Sequence, residues 1–131
     1  MKRLLLFPVF LSLLSTPALA TSSFSRQWKT DFLGEDADPD FVKTARRAGC
    51  YVCHVKGHPD KKKARNEYGK AVYEFLDMET YSRDYIKANP EKAAKEISEG
   101  FKKAGEKLSS SGEKFSDKLE VGKLPAEDAG L

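Results

Sequence analysis

Residues 46–69 read RRAGCYVCHVKGHPDKKKARNEYG, and the five letters at 50–54, CYVCH, decide how the rest of the chain is read. Cys50 and Cys53 are the two cysteines of the sequence, and His54 is one of two histidines. Two thiols three positions apart, followed directly by an imidazole, suit three chemistries. They can attach a haem, ligate a metal ion such as zinc, or cycle between dithiol and disulfide. Choosing among these depends on where the chain resides and on which elements flank the motif.

Upstream, residues 1–20 read MKRLLLFPVFLSLLSTPALA. A basic start at Lys2 and Arg3, an apolar run from Leu4 to Leu14 and small residues at Ala18 and Ala20 form the layout of a cleaved secretory signal. The apolar run is too short to span a bilayer comfortably, and no later segment is apolar enough to do so. The expectation is an exported protein, periplasmic or extracellular, whose mature part is residues 21–131. The formal charge of +3 includes both signal cations, so +1 remains on residues 21–131. That near-neutral balance gives no support to a nucleic-acid partner. A chain this short, with a modest apolar content, suits one small domain that gains stability from a staple, metal or cofactor.

The flanking pattern is helical. Phe24, Trp28 and Phe32 are four apart on one stripe that Gly34 ends. Asp38 and Pro39 form a cap and first position for a second helix carrying Phe41 and Ala45, and Gly49 stops it just before Cys50. After the polar loop HPDKKKAR, a third helix begins near Asn66 with Tyr68, Val72, Phe75 and Leu76 at helical spacing. Asn89 and Pro90 open the clearest helix, striped by Ala93, Ile97, Phe101, Ala104 and Leu108, with Glu91–Lys95 and Glu99–Lys103 on its exposed side. Ser109 to Gly112 breaks it, and Phe115, Leu119, Val121 and Leu124 give the tail enough apolar surface to dock before its polar end frays. No segment reads as a strand, so the expected class is all-α.

This setting ranks the three chemistries. A c-type haem needs two thiols for the two vinyl groups on one porphyrin edge and a histidine beside the second thiol, which C-x-x-C-H supplies within a turn. A thioredoxin-like pair sits at a strand-to-helix junction, and the chain offers no strand. A structural zinc site normally spaces two ligand pairs widely, whereas Cys50, Cys53, His54 and His58 fall within nine residues. Haem is the preferred reading, and a zinc or thiol protein remains as the alternative.

The CYVCH motif, set in the order helix, motif, loop, helix and C-terminal amphipathic helix, resembles small monohaem c-type cytochromes. Residues 50–72, CYVCHVKGHPDKKKARNEYGKAV, and 111–126, SGEKFSDKLEVGKLPA, are similar to segments of secreted cytochrome-like proteins of planctomycete bacteria. The resemblance implies a cytochrome c-like helical domain around one covalently attached haem c. Cys50 and Cys53 would form the thioethers and His54 would be the proximal iron ligand. It further implies that the helix carrying Phe41 packs near the helix carrying Phe101. The resemblance implies no particular physiological role; the leading expectation is single-electron transfer between redox partners rather than enzymatic turnover. A haem enzyme or a sensor of a gas or peroxide, with an open sixth site, is the alternative within the same class.

The sixth iron ligand departs from the usual pattern, in which a methionine lies well downstream. Met78 is the one methionine after the signal, 24 positions beyond His54, and is the candidate distal ligand; a gap-filling methionine at a helix end is its plainer role. His58 is excluded as a partner to His54 on one iron, because four extended residues reach at most ~14 Å and the chain must pass around the macrocycle. Arg65, Asn66 and Tyr68 have the chemistry to bond haem propionates, but a capping Asn66 and a packed Tyr68 are the simpler expectation. The basic cluster Lys61, Lys62, Lys63 and Arg65 is either a solvated loop or a docking surface for an acidic redox partner.

Overall fold

The second helix shows how locally the chain is encoded. Asp38 Oδ1 accepts the Phe41 N–H at 2.9 Å, Pro39 occupies the first position where a missing N–H costs nothing, and α2 runs Pro39–Ala48. It stops at Gly49, whose φ of 55° and ψ of −121° lie where a side chain is strained. A single 3₁₀ turn, Gly49–Val52, follows and carries Cys50. The computed structural model describes residues 20–60 and 63–127, so the signal-like segment before Ala20, Lys61, Lys62 and the last four residues lie outside the described residues.

Five further helices are present among the described residues: α1 Ala20–Phe32, α3 Glu67–Tyr73, α4 Arg83–Ala88, α5 Pro90–Gly105 and α6 Phe115–Glu120. Among the described residues there is no strand, only two isolated antiparallel bridges, His54 with Arg65 and Leu108 with Lys114. No helix among them is long and apolar enough to cross a membrane. The all-α expectation therefore holds.

α5 is the axis of the packing. Ala93, Ile97, Gly100, Phe101, Ala104 and Gly105 are its buried stripe, and α1, α3, α4 and α6 lie against it. Small residues let neighbours come close: a Cβ at Gly100 would collide with the Leu76 side chain, and one at Gly105 would press on Ser116. Phe32 of α1 meets Phe101 edge-on at 6.4 Å, and Tyr68 of α3 meets Phe115 of α6 at 5.3 Å. Trp28, Phe41, Val52, Tyr68, Phe101, Phe115 and Leu119 share one buried cluster. Each such side chain stabilises the fold by ~1.5–3 kcal/mol relative to exposure.

Several local expectations are corrected. The proximity expected of Phe41 and Phe101 is not one of these, since both lie in one buried cluster, although the main partners of α5 are α1, α3, α4 and α6. Asn89 does not cap α5 with its side chain. It serves the end of α4, where its backbone N–H and its Nδ2 both donate to the Tyr85 carbonyl. The short helix α4 itself has no apolar stripe to announce it; Ser82 caps it through the Tyr85 N–H. Leu108 and Val121 are two-thirds exposed, since α5 ends at Gly105 and α6 at Glu120. The ion pair seen on α5 is Lys92–Glu96 at 3.8 Å.

Candidate functional site

Cys50 is exposed on the 3₁₀ turn, and Cys53 is half-buried just after it; both are free thiols. The turn is closed by the Cys53 and His54 N–H groups, which donate to the Cys50 carbonyl at 3.3 and 3.1 Å. The motif thus begins where α2 ends, at the negative end of that helix. Burial, with the neighbouring Cys50 as the smaller cause, pushes the Cys53 thiol up to about 12. A reactive thiolate needs the opposite setting, a helix N-terminus or nearby cations that lower its pKa. Cys53 is therefore poorly placed to act as an attacking thiolate.

The segment after the loop returns to the motif as a short antiparallel bridge. Val55 N–H donates to the Ala64 carbonyl at 3.1 Å, and Asn66 N–H donates to the Cys53 carbonyl at 3.0 Å. His54 Nδ1 lies 3.2 Å from the same Ala64 carbonyl oxygen. A carbonyl can only accept, so this contact is a hydrogen bond with the proton on Nδ1, and the neutral ring then carries its lone pair on Nε2. A ligating histidine is usually held in this way, its other ring nitrogen donating to a carbonyl or carboxylate.

Asn66 binds the turn from the other side. Its Nδ2 donates to the Val52 and Tyr51 carbonyls at 3.0 and 3.3 Å, and its Oδ1 accepts the Gly69 N–H at 2.8 Å. One buried side chain thus caps α3 and holds the two residues between the cysteines. Gly69 allows the approach: a Cβ there would run into the Cys53 carbonyl. Tyr68 is fully buried and accepts the Trp28 indole N–H at 3.0 Å, so the capping and packing roles expected of Asn66 and Tyr68 are the ones observed.

The other residues singled out in the sequence lie apart from this turn. Met78 is half-buried in the turn following α3, at the end of that helix away from the motif; seven helical residues span roughly 10 Å. Asp77 orders its turn by accepting the Glu79 and Thr80 N–H groups and the Thr80 hydroxyl at 2.7–3.0 Å. His58 is exposed and its Nδ1 accepts the Asp60 N–H at 3.1 Å, as expected for a turn histidine. Lys63 is exposed, and Arg65 lays its guanidinium over the Tyr73 ring at 3.8 Å. With Lys70 and His58 they line an open groove beside the His54–Arg65 bridge, which also holds Asp60.

Among the described residues no three His, Cys, Asp or Glu side chains are grouped to hold a metal ion, so Cys50, Cys53, His54 and His58 do not form a four-ligand site here. Two features escaped the sequence reading. The Ala64 carbonyl carries no sequence signal, being backbone. Gly69 did carry one, because a glycine inside a helix costs about 1 kcal/mol and signals a close contact. Comparison with protein-family models, curated proteins and solved structures finds no match for this chain.

Proposed function

We propose that this chain is an exported monohaem c-type cytochrome that accepts and donates single electrons. The observation that carries the reading is the hydrogen bond from His54 Nδ1 to the Ala64 carbonyl, next to two free thiols three residues apart. That bond fixes the tautomer a metal-binding imidazole needs, with the lone pair on Nε2. The donor set suits a haem better than zinc, since among the described residues no three His, Cys, Asp or Glu side chains are grouped as a tetrahedral site would need.

Cys50 and Cys53 would hold the group covalently, and His54 would ligate its iron. A bound haem supplies a one-electron centre whose potential follows its axial ligands, hydrogen bonding and burial. The chain's own contribution is to fix the imidazole through Ala64, to hold the turn through Asn66 and to keep water from the core side through Val52 and Tyr68. Met78 is the proposed distal ligand. Its turn is tied by the Asp77 carboxylate to Thr80. Lys63 and Arg65, with Lys61 and Lys62 adjacent in sequence, supply positive charge suited to an acidic redox partner.

The test is expression of the full chain with its own leader in a host that performs c-type maturation. The expected result is an exported product carrying the mass of one haem and giving a pyridine haemochrome spectrum, with both lost in Cys50→Ala/Cys53→Ala. An exported, folded product with no added mass rejects the haem assignment.

A further inference from the structure

We propose that Asn66 is a positioning residue for His54, acting through the backbone of the cysteine turn in addition to capping α3. The inference rests on the reading of His54 as the iron ligand given above, but its physical content is a coupling within the polypeptide. Asn66 is 3 % exposed, and its side-chain nitrogen and oxygen both hold backbone groups. Nδ2 grips the carbonyls of Tyr51 and Val52, the residues between the two cysteines, while the Asn66 backbone N–H holds the carbonyl of Cys53. Three consecutive carbonyls leading into His54 are therefore tied to one residue.

Two positions before Asn66 stands Ala64, whose carbonyl accepts from both Val55 N–H and His54 Nδ1. The ring and the carbonyl that orients it are thus joined by a short closed path: His54, Cys53, Asn66, Arg65, Ala64. Without the Nδ2 bonds to Tyr51 and Val52 that path is held only by the Asn66 backbone N–H on Cys53, and the turn is freer to move relative to the Ala64 carbonyl. The imidazole is then less firmly held against the Ala64 carbonyl. A cap alone has no need for the amide nitrogen, because serine, threonine and aspartate cap with oxygen. The nitrogen's two contacts with the turn are what the choice of asparagine adds.

Asn66→Ser separates the two roles, since it keeps a capping oxygen and removes the donor to Tyr51 and Val52. The measurement is NMR hydrogen exchange on the purified chain, kept reduced if it carries haem, following the His54 ring Nδ1–H and the Gly69 amide. In Asn66→Ser the ring proton is expected to exchange about tenfold faster, as for the loss of one ordinary hydrogen bond, while the Gly69 amide and the core amides stay protected. Equal acceleration of ring proton and core amides would mean a purely structural role and overturn the proposal. So would an unchanged ring proton in a folded variant. Should Asn66→Ser not fold, the wild type decides. The Asn66 side-chain amide protons and the His54 ring proton must then open together with one exchange free energy, and independent opening overturns the proposal. The haem mass increment is read separately on wild type, so a negative result there removes the cytochrome reading and leaves the coupling to be judged by exchange alone.

Discussion

The Trp28 indole N–H donates to the Tyr68 hydroxyl at 3.0 Å, joining α1 to α3 in the buried centre of the protein across 40 residues of sequence. Both rings are buried, so the contact ties the N-terminal helix to the element that carries Asn66 and Gly69. Burial, then the nearby Cys53, drives the Tyr68 phenol well above its ordinary range, whereas the Trp28 bond pulls the other way. Tyr68→Phe leaves the indole N–H without its acceptor and is expected to cost ~1–3 kcal/mol in a denaturant melt. Trp28→Phe/Tyr68→Phe should cost less than the sum of the two single changes, because the orphaned donor is gone. Additive losses would show that the bond adds nothing beyond packing.

Gly69→Ala sets a methyl group against the Cys53 carbonyl and forces α3 away from the cysteine turn. The expected loss is roughly 1–3 kcal/mol of unfolding free energy, with reduced haem attachment under maturation. Gly34→Ala is the control: a Cβ there meets nothing within 4 Å, and the change should stay within about 0.5 kcal/mol.

Gly49→Ala meets no neighbouring atom either, so any loss arises from its φ of 55°. That strain is expected to lower stability by about 1–3 kcal/mol. A neutral Gly49→Ala, by the same thermal or urea measurement, would mean that the turn after α2 relaxes without affecting the motif.

The Tyr85 hydroxyl donates to Glu96 Oε2 at 2.6 Å, linking α4 to α5. That bond is the main reason the phenol is raised from 10.0 to about 12. A raised acid pKa means the contact stabilises the fold fully below pH 10 and fades as pH rises towards about 12. Ultraviolet titration of the phenols should therefore lose one late-titrating group in Glu96→Gln, and the same group in Tyr85→Phe. If the titration of Glu96→Gln overlays that of wild type, the contact does not form in solution.

Met78→Ala tests the distal position. If Met78 binds the iron, the ferric protein has a Met–iron charge-transfer band that this substitution abolishes, and the reduced variant takes up carbon monoxide faster. A wild-type spectrum without the band removes Met78 from the site. Asp77→Ala should weaken the band without abolishing it, because the turn loses the acceptor for three hydrogen bonds while the thioether remains.

Residues 38–49 show how much was legible in the sequence. Asp38, Pro39, the Phe41–Ala45 stripe and Gly49 specify α2 through contacts no more than a few residues long, so propensity and capping chemistry suffice. The motif at 50–54 is equally local, and Asn66 as the cap of α3 follows from its position before an apolar stripe. Leu108 misled for the complementary reason. Its spacing fits the α5 stripe, but the helix ends three residues earlier and nothing in the stripe records that.

Other features depend on which distant atoms meet. The close approaches of Leu76 to Gly100 and of Ser116 to Gly105 set how near the neighbours of α5 come, and no periodicity encodes them. The same holds at the site. The sequence by itself determined the proposed donors, Cys50, Cys53 and His54, and the all-α class, because both follow from short-range pattern. Only the tertiary structure decided which atom orients the imidazole. That atom is a backbone carbonyl at Ala64, identical in every residue type, and it is brought into place by the return of the loop against the turn.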